Sequence, residues 1–301
     1  MTVPILLQNV KGRPFKIMPF RATLIYMKRF WLIMTVLVAA LAPVSFVFAQ
    51  TFSAPVRLAV PYVSEVPDGK WVGSWKNACE EASITMLQQY YSGKKVVTVA
   101  AAKSFMQNLF NIEHGLWNSD ANTDVAQTVK LITDNADFNG RVVEAPTVES
   151  IKAELDAGRP VIAPINGFTL GNKNIPFLAR GSGYHMFVII GYDDAAQQFI
   201  VNDTGDTIAG PGHRYAYALI MRSMHDFDRA AGKTDGPSRA IFTYPKLARA
   251  SGSHRVYFLS DNTKQYVSGP SVLVQKGWDW SWVNVVANDW LAAFRDGASI
   301  K

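Results

Sequence analysis

One cysteine, Cys79, stands in a chain of 301 residues, so no internal disulfide can staple the fold and packing alone must hold it. This matters because the N-terminal stretch reads as an export signal. From Met27 the sequence MKRFWLIMTVLVAALAPVSFVFAQ sets two charges before an uncharged apolar run from Phe30 to Ala49. Val47 and Ala49 have the spacing of small residues before a cleavage site. The expectation is a leader over residues 1–49, with translation beginning at Met27 and a body that lies outside the cytoplasm, secreted after cleavage. Uncut, an apolar run of about 20 residues is also long enough to anchor the chain in a bilayer, although Pro43 and Ser45 weaken such a helix. A body of this length, in a chain that is 49% hydrophobic, can bury one large core or two smaller ones without bridges. A lone thiol exposed to oxidation is either buried or used.

The formal net charge of +6 also belongs to the leader. Lys11, Arg13, Lys16, Arg21, Lys28 and Arg29 fall there with no Asp or Glu, leaving 24 of the 30 basic residues against 24 acidic ones. A body in balance has no excess of positive charge for a phosphate backbone, and nucleic acid is excluded as the expected partner.

Past the leader, TFSAPVRLAVPYVSEVPDGKWVGSW is rich in Pro, Gly and Val and reads as extended segments and turns. A helix is expected from Asn77 as N-cap, with Glu80 and Glu81 in its first turn and Gly93 as its stop. Further helices are expected at Asp124 to Ala136 and, after Thr147, at Val148 to Ala157, stopped by Gly158 and Pro160. The pattern then changes to β-branched and aromatic runs, Val161 to Asn166, Tyr184 to Tyr192 and Gln198 to Asp203, with a Gly- and Asn-bearing loop from Gly167 to Gly183. A helix follows at Tyr215 to Met224. Helical and strand segments in separate blocks argue for an α+β fold. A polar break at residues 230–239 precedes a small C-terminal unit with a hairpin and one or two short helices. The domain expectation is a leader over 1–49, a main domain over 50–249 and an accessory module over 250–301.

A thiolate, not a thiol, is the nucleophile, and the positive end of a helix stabilises it. Cys79 has that placement. It needs a base held by a third group. His185, opening the strand YHMFVIIGY, is the candidate base. If Gly191 pairs with Gln197 across the following hairpin, Asp203 lies opposite His185; with a loop one residue shorter, Asn202 takes that position. Either can accept from the imidazole and fix its tautomer.

The stretches VPYVSEVPDGKW, NACEEASITMLQQYY, DAGRPVIAPING, GYHMFVIIGYDD and FIVNDTGD, in that order over Val56 to Asp226, resemble the papain-like cysteine peptidases related to the bacteriocin-processing, double-glycine leader peptidases. The resemblance implies a papain-like fold in which a helix bearing Cys packs on an antiparallel sheet bearing His. It implies Cys79 as nucleophile, His185 as general base and then acid, and Asp203 as orienting residue, with Asn202 in reserve. The reaction implied is acyl transfer through a thioester, on a peptide or protein substrate and without a cofactor or metal. Such peptidases place a Gln several residues before the Cys to hold the oxyanion. Here Val72 to Asn77 offer none, and Asn77 is the nearest amide.

That departure and the appended module give a second reading, a peptidase fold that binds at the cell surface without turnover; a third, a transglutaminase-like acyl transferase, follows because the same triad serves several acceptors. His225, Asp226 and Asp228 are metal-ligand types close together but without a second cluster, and no metal site is expected. His114, His213 and His254 read as surface or packing residues with no acid paired to them. Trp278, Trp280, Trp282 and Trp290 read as the core of the C-terminal unit. That unit resembles small repeats appended to secreted bacterial surface proteins, which implies attachment to a cell-surface ligand.

Overall fold

The computed structural model describes residues 54–301 except 120, 176–182 and 207. The leader lies outside the described residues. Among those described, no helix is long and apolar enough to cross a membrane.

In chain order the elements are β1 (Val56–Arg57), α1 (Cys79–Tyr91), α2 (Val99–Trp117), α3 (Val125–Asn135), β2 (Phe138–Glu144), α4 (Val148–Asp156), β3 (Val161–Asn166), the single turn α5 (Gly167–Leu170), β4 (Tyr184–Asp193), β5 (Gln198–Asn202), β6 (Pro211–Ala216), α6 (Tyr217–Ser223) and β7 (Arg239–Pro245). Strands β2-β7-β3-β4-β5-β6 form one antiparallel sheet, and β1 pairs with the far end of β4. This is an α+β fold of papain-like type.

The period of β4 separates two cores. Tyr184, Met186, Val188 and Ile190 face the cluster built on α1, α2 and α3, with Ile84, Leu87, Met106 and Leu131. Phe187 and Ile189 face the other, with Ile151 and Leu155 of α4 and Ile220 of α6. Successive strand residues point to opposite faces, so an unbroken apolar run marks a strand covered on both sides. Each fully buried Leu, Ile or Phe of these layers adds roughly 1.5–3 kcal/mol.

Helix α1 lies between α2 and the sheet and is buried almost all round. Its polar groups are answered internally: Ser83 donates to the Cys79 carbonyl at 2.8 Å and the backbone N–H of Asp137 donates to Gln88 at 2.7 Å. Helices α3 and α4 begin with full capping boxes, Asp124 with Gln127 and Thr147 with Ser150, as their sequences promise.

The start of α1 differs from the expectation. Asn77 is exposed and closes a 3₁₀ turn, Gly73–Asn77; Ala78 occupies the cap position, with no side-chain cap. Several elements are absent from the sequence reading, α2, β2, β7 and β6 among them. The 19-residue α2 is capped by Thr98 and buries Ala102, Met106, Leu109, Phe110 and Glu113 on one stripe. Strands β2 and β7 pair over their full length. The helix expected from Tyr215 begins at Tyr217, because Tyr215 and Ala216 complete β6. The expected loop after Asn166 carries α5, and its residues 176–182 lie outside the described set.

Across Lys246 the chain enters a second sheet, β11-β8-β9-β10-β12, from β8 (Leu247–Ala250), β9 (Val256–Ser260), β10 (Thr263–Tyr266), β11 (Val283–Val286) and β12 (Arg295–Asp296), with helices α7 (Pro270–Gln275) and α8 (Asn288–Ala292). The β9–β10 hairpin turns on Asp261 and Asn262, both at positive φ, the geometry that twists with its strands. Trp278 stacks on Phe258 at 4.9 Å and Trp282 packs beside it; Trp290 packs with Tyr244 and Phe294, whereas Trp280 is exposed. This sheet is fastened to the first: Asn139 donates to the Leu259 carbonyl at 2.8 Å and Asn284 to the Tyr91 carbonyl at 3.2 Å.

Candidate active site

Cys79 is the first residue of α1, and His185 sits near the start of β4, across from Ile165 of β3. The packing of α1 on β4 brings them together. The Cys79 sulfur, a ring nitrogen of His185 and a carboxyl oxygen of Glu65 all lie within 4.8 Å of one another.

His185 is fully buried, and its Nε2 stands 2.7 Å from Asp203 Oδ1. Burial alone would raise the Asp203 carboxyl, but the charge and hydrogen bond of His185 and the hydroxyl of Tyr215 outweigh it and hold Asp203 below the usual aspartate range. Tyr215 donates to Asp203 Oδ2 at 2.7 Å. An ionised Asp203 takes the Nε2 proton as a hydrogen bond, which fixes the tautomer and makes Nδ1 the nitrogen that can serve a thiol.

The route by which Asp203 arrives is not the ladder expected. The hairpin loop is 194–197, Asp193 pairs with Gln198, and a bulge between Ile189 and Gly191 shifts the register so that Val188 faces Asn202. The ladder ends there. Asp203 lies beyond it, where its N–H donates to Gly210 O at 2.8 Å and its carbonyl accepts from Tyr62. Asn202 is occupied elsewhere, donating to Val60 O at 3.1 Å and accepting from Gly212 N–H at 3.2 Å. Asn77, exposed on its 3₁₀ turn, is not among the buried groups around the sulfur.

The electrostatics of the thiol reverse the expectation. Cys79 is 2% exposed. Burial pushes its thiol well above the ordinary value, and the neighbouring carboxyls of Glu80, Glu65 and Glu81 push the same way. The helix N-terminus favours an anion by no more than about 2 kcal/mol, and loss of solvent with three acids close by opposes it. Sγ donates to Glu80 Oε2 at 2.9 Å, while Glu80 Oε1 accepts from the Thr123 N–H at 2.8 Å. Burial first and Glu81 second raise the Glu80 carboxyl to about 8. At neutral pH the sulfur therefore rests as a thiol, and any attack by it must be accompanied by loss of that proton.

Glu65 was not foreseen as a site residue. It closes the VPYVSE stretch, is fully buried, and burial together with Asp203, Glu80 and Glu81 raises its carboxyl well above the usual range. The three ligand atoms of Glu65, Cys79 and His185 are close enough for one cation. A protonated carboxyl and a protonated thiol are poor donors to it, because metal ligands bind deprotonated.

The other histidine and acid groups are structural. Asp226 accepts from the backbone of Val125 and Phe227 and pairs with Arg239; His225 Nδ1 bonds to Gly236 O; Asp228 holds the turn at Ala230 and Ala231. His213 corrects the sequence reading, since it does have an acid: Nδ1 is 3.1 Å from the buried Asp206, and the ring stacks on Tyr215. Asp206 also accepts from Asn172 and Asn174 and from the N–H groups of Ile208 and Ala209, and Asn172 donates to the Tyr215 hydroxyl. This network braces the tyrosine that braces Asp203.

The sequence profile of the Peptidase_C39 like family matches residues 57–226, more than half of the chain. The chain belongs to that family. The matched span includes Glu65, Cys79, His185 and Asp203, and membership supports a peptidase of cysteine type. No curated protein matches. Among solved structures, a C39-like peptidase from Bacillus anthracis is 16% identical, with 64% of this chain and 98% of that one covered and a TM-score of 0.42. The endolysin LysIME-EF1 is 13% identical, with 63% and 84% covered and a TM-score of 0.18.

Proposed function

We propose that this member of the C39-like peptidases is a secreted bacterial cysteine peptidase that hydrolyses peptide bonds through Cys79, His185 and Asp203. The observation that carries the reading is the placement of one buried imidazole, with a carboxylate 2.7 Å from Nε2 and the only thiol of the chain within 4.8 Å. His185 takes the sulfur proton as Sγ attacks the carbonyl, returns it to the leaving amine, and then activates the water that hydrolyses the thioester. Asp203 orients the ring and stabilises the imidazolium formed in between.

A cavity of about 370 Å³ is lined by Tyr62, Ser64, Val66, Trp71, Asp206 and Ile208, from the chain segments that also carry Glu65 and Asp203, and supports this end of the sheet as the side from which a peptide approaches. The export segment and the C-terminal sheet complete the proposal: the body acts outside the cytoplasm, free or anchored, and the module over 250–301 attaches it to a surface ligand.

The test is cleavage of a peptide library by the protein after removal of the leader. Cys79→Ser is expected to abolish cleavage, and His185→Ala to reduce it about 10²–10⁴-fold. Cleavage that persists in both variants overturns the assignment. The deep burial of Cys79 favours one second reading, a peptidase fold that binds peptides without turnover. Binding of library peptides, with no product formed by the unaltered protein, would select it.

A further inference from the structure

Attack by sulfur on a peptide carbonyl drives the carbonyl electron pair onto oxygen, and that oxyanion needs donors preorganised beside it. One is supplied by the backbone: Cys79 opens α1, where the first N–H groups have no intrahelical acceptor. A second, from a side chain, is missing from the residues just before Cys79.

We propose that the Glu65 carboxyl group is the side-chain donor to this oxyanion. Three observations point there. Glu65 is fully buried, and the one hydrogen-bond partner of its carboxyl group among the described residues is Thr204. Enclosing a carboxyl group with so few polar partners is unfavourable, so its persistence at this position calls for a use. Its carboxyl oxygen is within 4.8 Å of both Sγ and the His185 ring, the distance range in which one substrate oxygen fits between donor and sulfur. Its backbone is pinned to the triad, since the Glu65 N–H donates to the Thr204 carbonyl at 3.1 Å, one residue beyond Asp203.

Only the protonated form of a carboxyl group can donate, and its surroundings keep it so. The groups that face Glu65 are Cys79, Glu80 and Glu81 from α1, His185 from β4, Asp203 and Thr204 beyond β5, and Tyr62 on its own segment. The acids Asp203, Glu80 and Glu81, with burial, all raise the Glu65 carboxyl. The same cluster that disfavours the resting thiolate thereby maintains the donor.

In the step, the Sγ–C bond forms, the sulfur proton passes to His185, and the carbonyl pair settles on oxygen. Glu65 shares its O–H with that oxygen and keeps the proton. On collapse the pair returns, the C–N bond breaks, and the amine takes the proton from His185. Water then repeats the sequence on the thioester.

This inference rests on the peptidase reading, and two probes that need no knowledge of the natural substrate separate them. p-Nitrophenyl acetate acylates a thiol through a tetrahedral oxyanion, whereas iodoacetamide alkylates it without one. Glu65→Ala is expected to slow acylation of Cys79 about 10²–10³-fold and to leave alkylation within a few-fold. Glu65→Gln, which restores a neutral donor, should recover at least tenfold of the acylation lost in Glu65→Ala. In the unaltered protein acylation should fall at alkaline pH as Glu65 ionises, and Glu65→Gln should remove that fall. Should Glu65→Ala not fold, the alkaline limb and its loss in Glu65→Gln carry the test. Equal effects of Glu65→Ala on acylation and alkylation, or a Glu65→Gln protein as slow as Glu65→Ala with Cys79 still acylated in the unaltered protein, overturn the role of Glu65 alone. No acylation of Cys79 in the unaltered protein brings down the peptidase reading and this role with it.

Discussion

Cys79 Sγ donates a hydrogen bond at 2.9 Å to the carboxyl of the next residue, Glu80, so the thiol is held beside an acceptor that favours its protonated form. A free thiol ionises near pH 8.5. Alkylation of native Cys79 by iodoacetamide is expected to rise with pH from above that value, with no plateau at neutral pH, because burial and the carboxyls raise the thiol. Glu80→Gln should move the rise to lower pH. A rate already pH-independent below neutrality would contradict the arrangement.

Asp203 receives His185 on one oxygen and Tyr215 on the other. Tyr215→Phe removes a buried donor, and the expected cost is about 1–3 kcal/mol of unfolding free energy. The Asp203 carboxyl should then be less depressed, so that the acid edge of the activity profile moves to higher pH. Denaturant unfolding and a pH–rate profile read the two effects separately, and an unmoved acid edge would exclude the tyrosine from this role.

Stability should depend on pH in a direction unusual for buried acids. Glu80 rises from an ordinary 4.5 to about 8. An unfolded chain therefore releases this proton near 4.5 while the native protein keeps it to about 8. The contribution is complete below 4.5 and is lost as pH climbs to about 8. Asp203 and Asp206, both depressed, act oppositely and lose their contribution as pH falls below the ordinary 3.8. Urea unfolding across pH 4–9 should show the midpoint declining toward the alkaline side, and Glu80→Gln should flatten that decline.

Ending the chain after residue 249 should destabilise the first sheet. It strips β8 of β9 and β11, removes Asn284 from the C-terminal end of α1, and uncovers Tyr244 and Ala248. Thermal unfolding should show a clearly lower midpoint than for residues 50–301. Equal midpoints would mean that the C-terminal sheet is energetically independent.

The elements with strong local punctuation are those legible in the sequence. Asp124, Thr147 and Gly158 mark α3 and α4 to within a residue or two, and the apolar runs mark β3 and β4. Helix α2 carried a readable signal that went unused, Thr98 as cap, a stripe through Ala102, Met106, Leu109 and Phe110, and polar Ser104, Gln107, Asn108 and Asn111 on the outward face. Strands β2 and β7 are nearly a hundred residues apart and are defined by each other, which no local pattern records. Asp203 was reached through a register that the structure does not have, because the bulge near Ile190 and the turn beyond Asn202 are tertiary facts. Glu65 sits in a segment that reads as turn, where an acid is ordinarily solvated; only the fold encloses it.

The site draws its groups from positions 65, 79, 185 and 203, and the last of these leans on the carbonyl of Gly210. A polypeptide still emerging from the ribosome holds the sulfur long before the imidazole and carboxylate beside it have been made. The proposed hydrolysis is thus withheld until some hundred and fifty residues have been delivered and folded, a temporal safeguard written into the order of the chain.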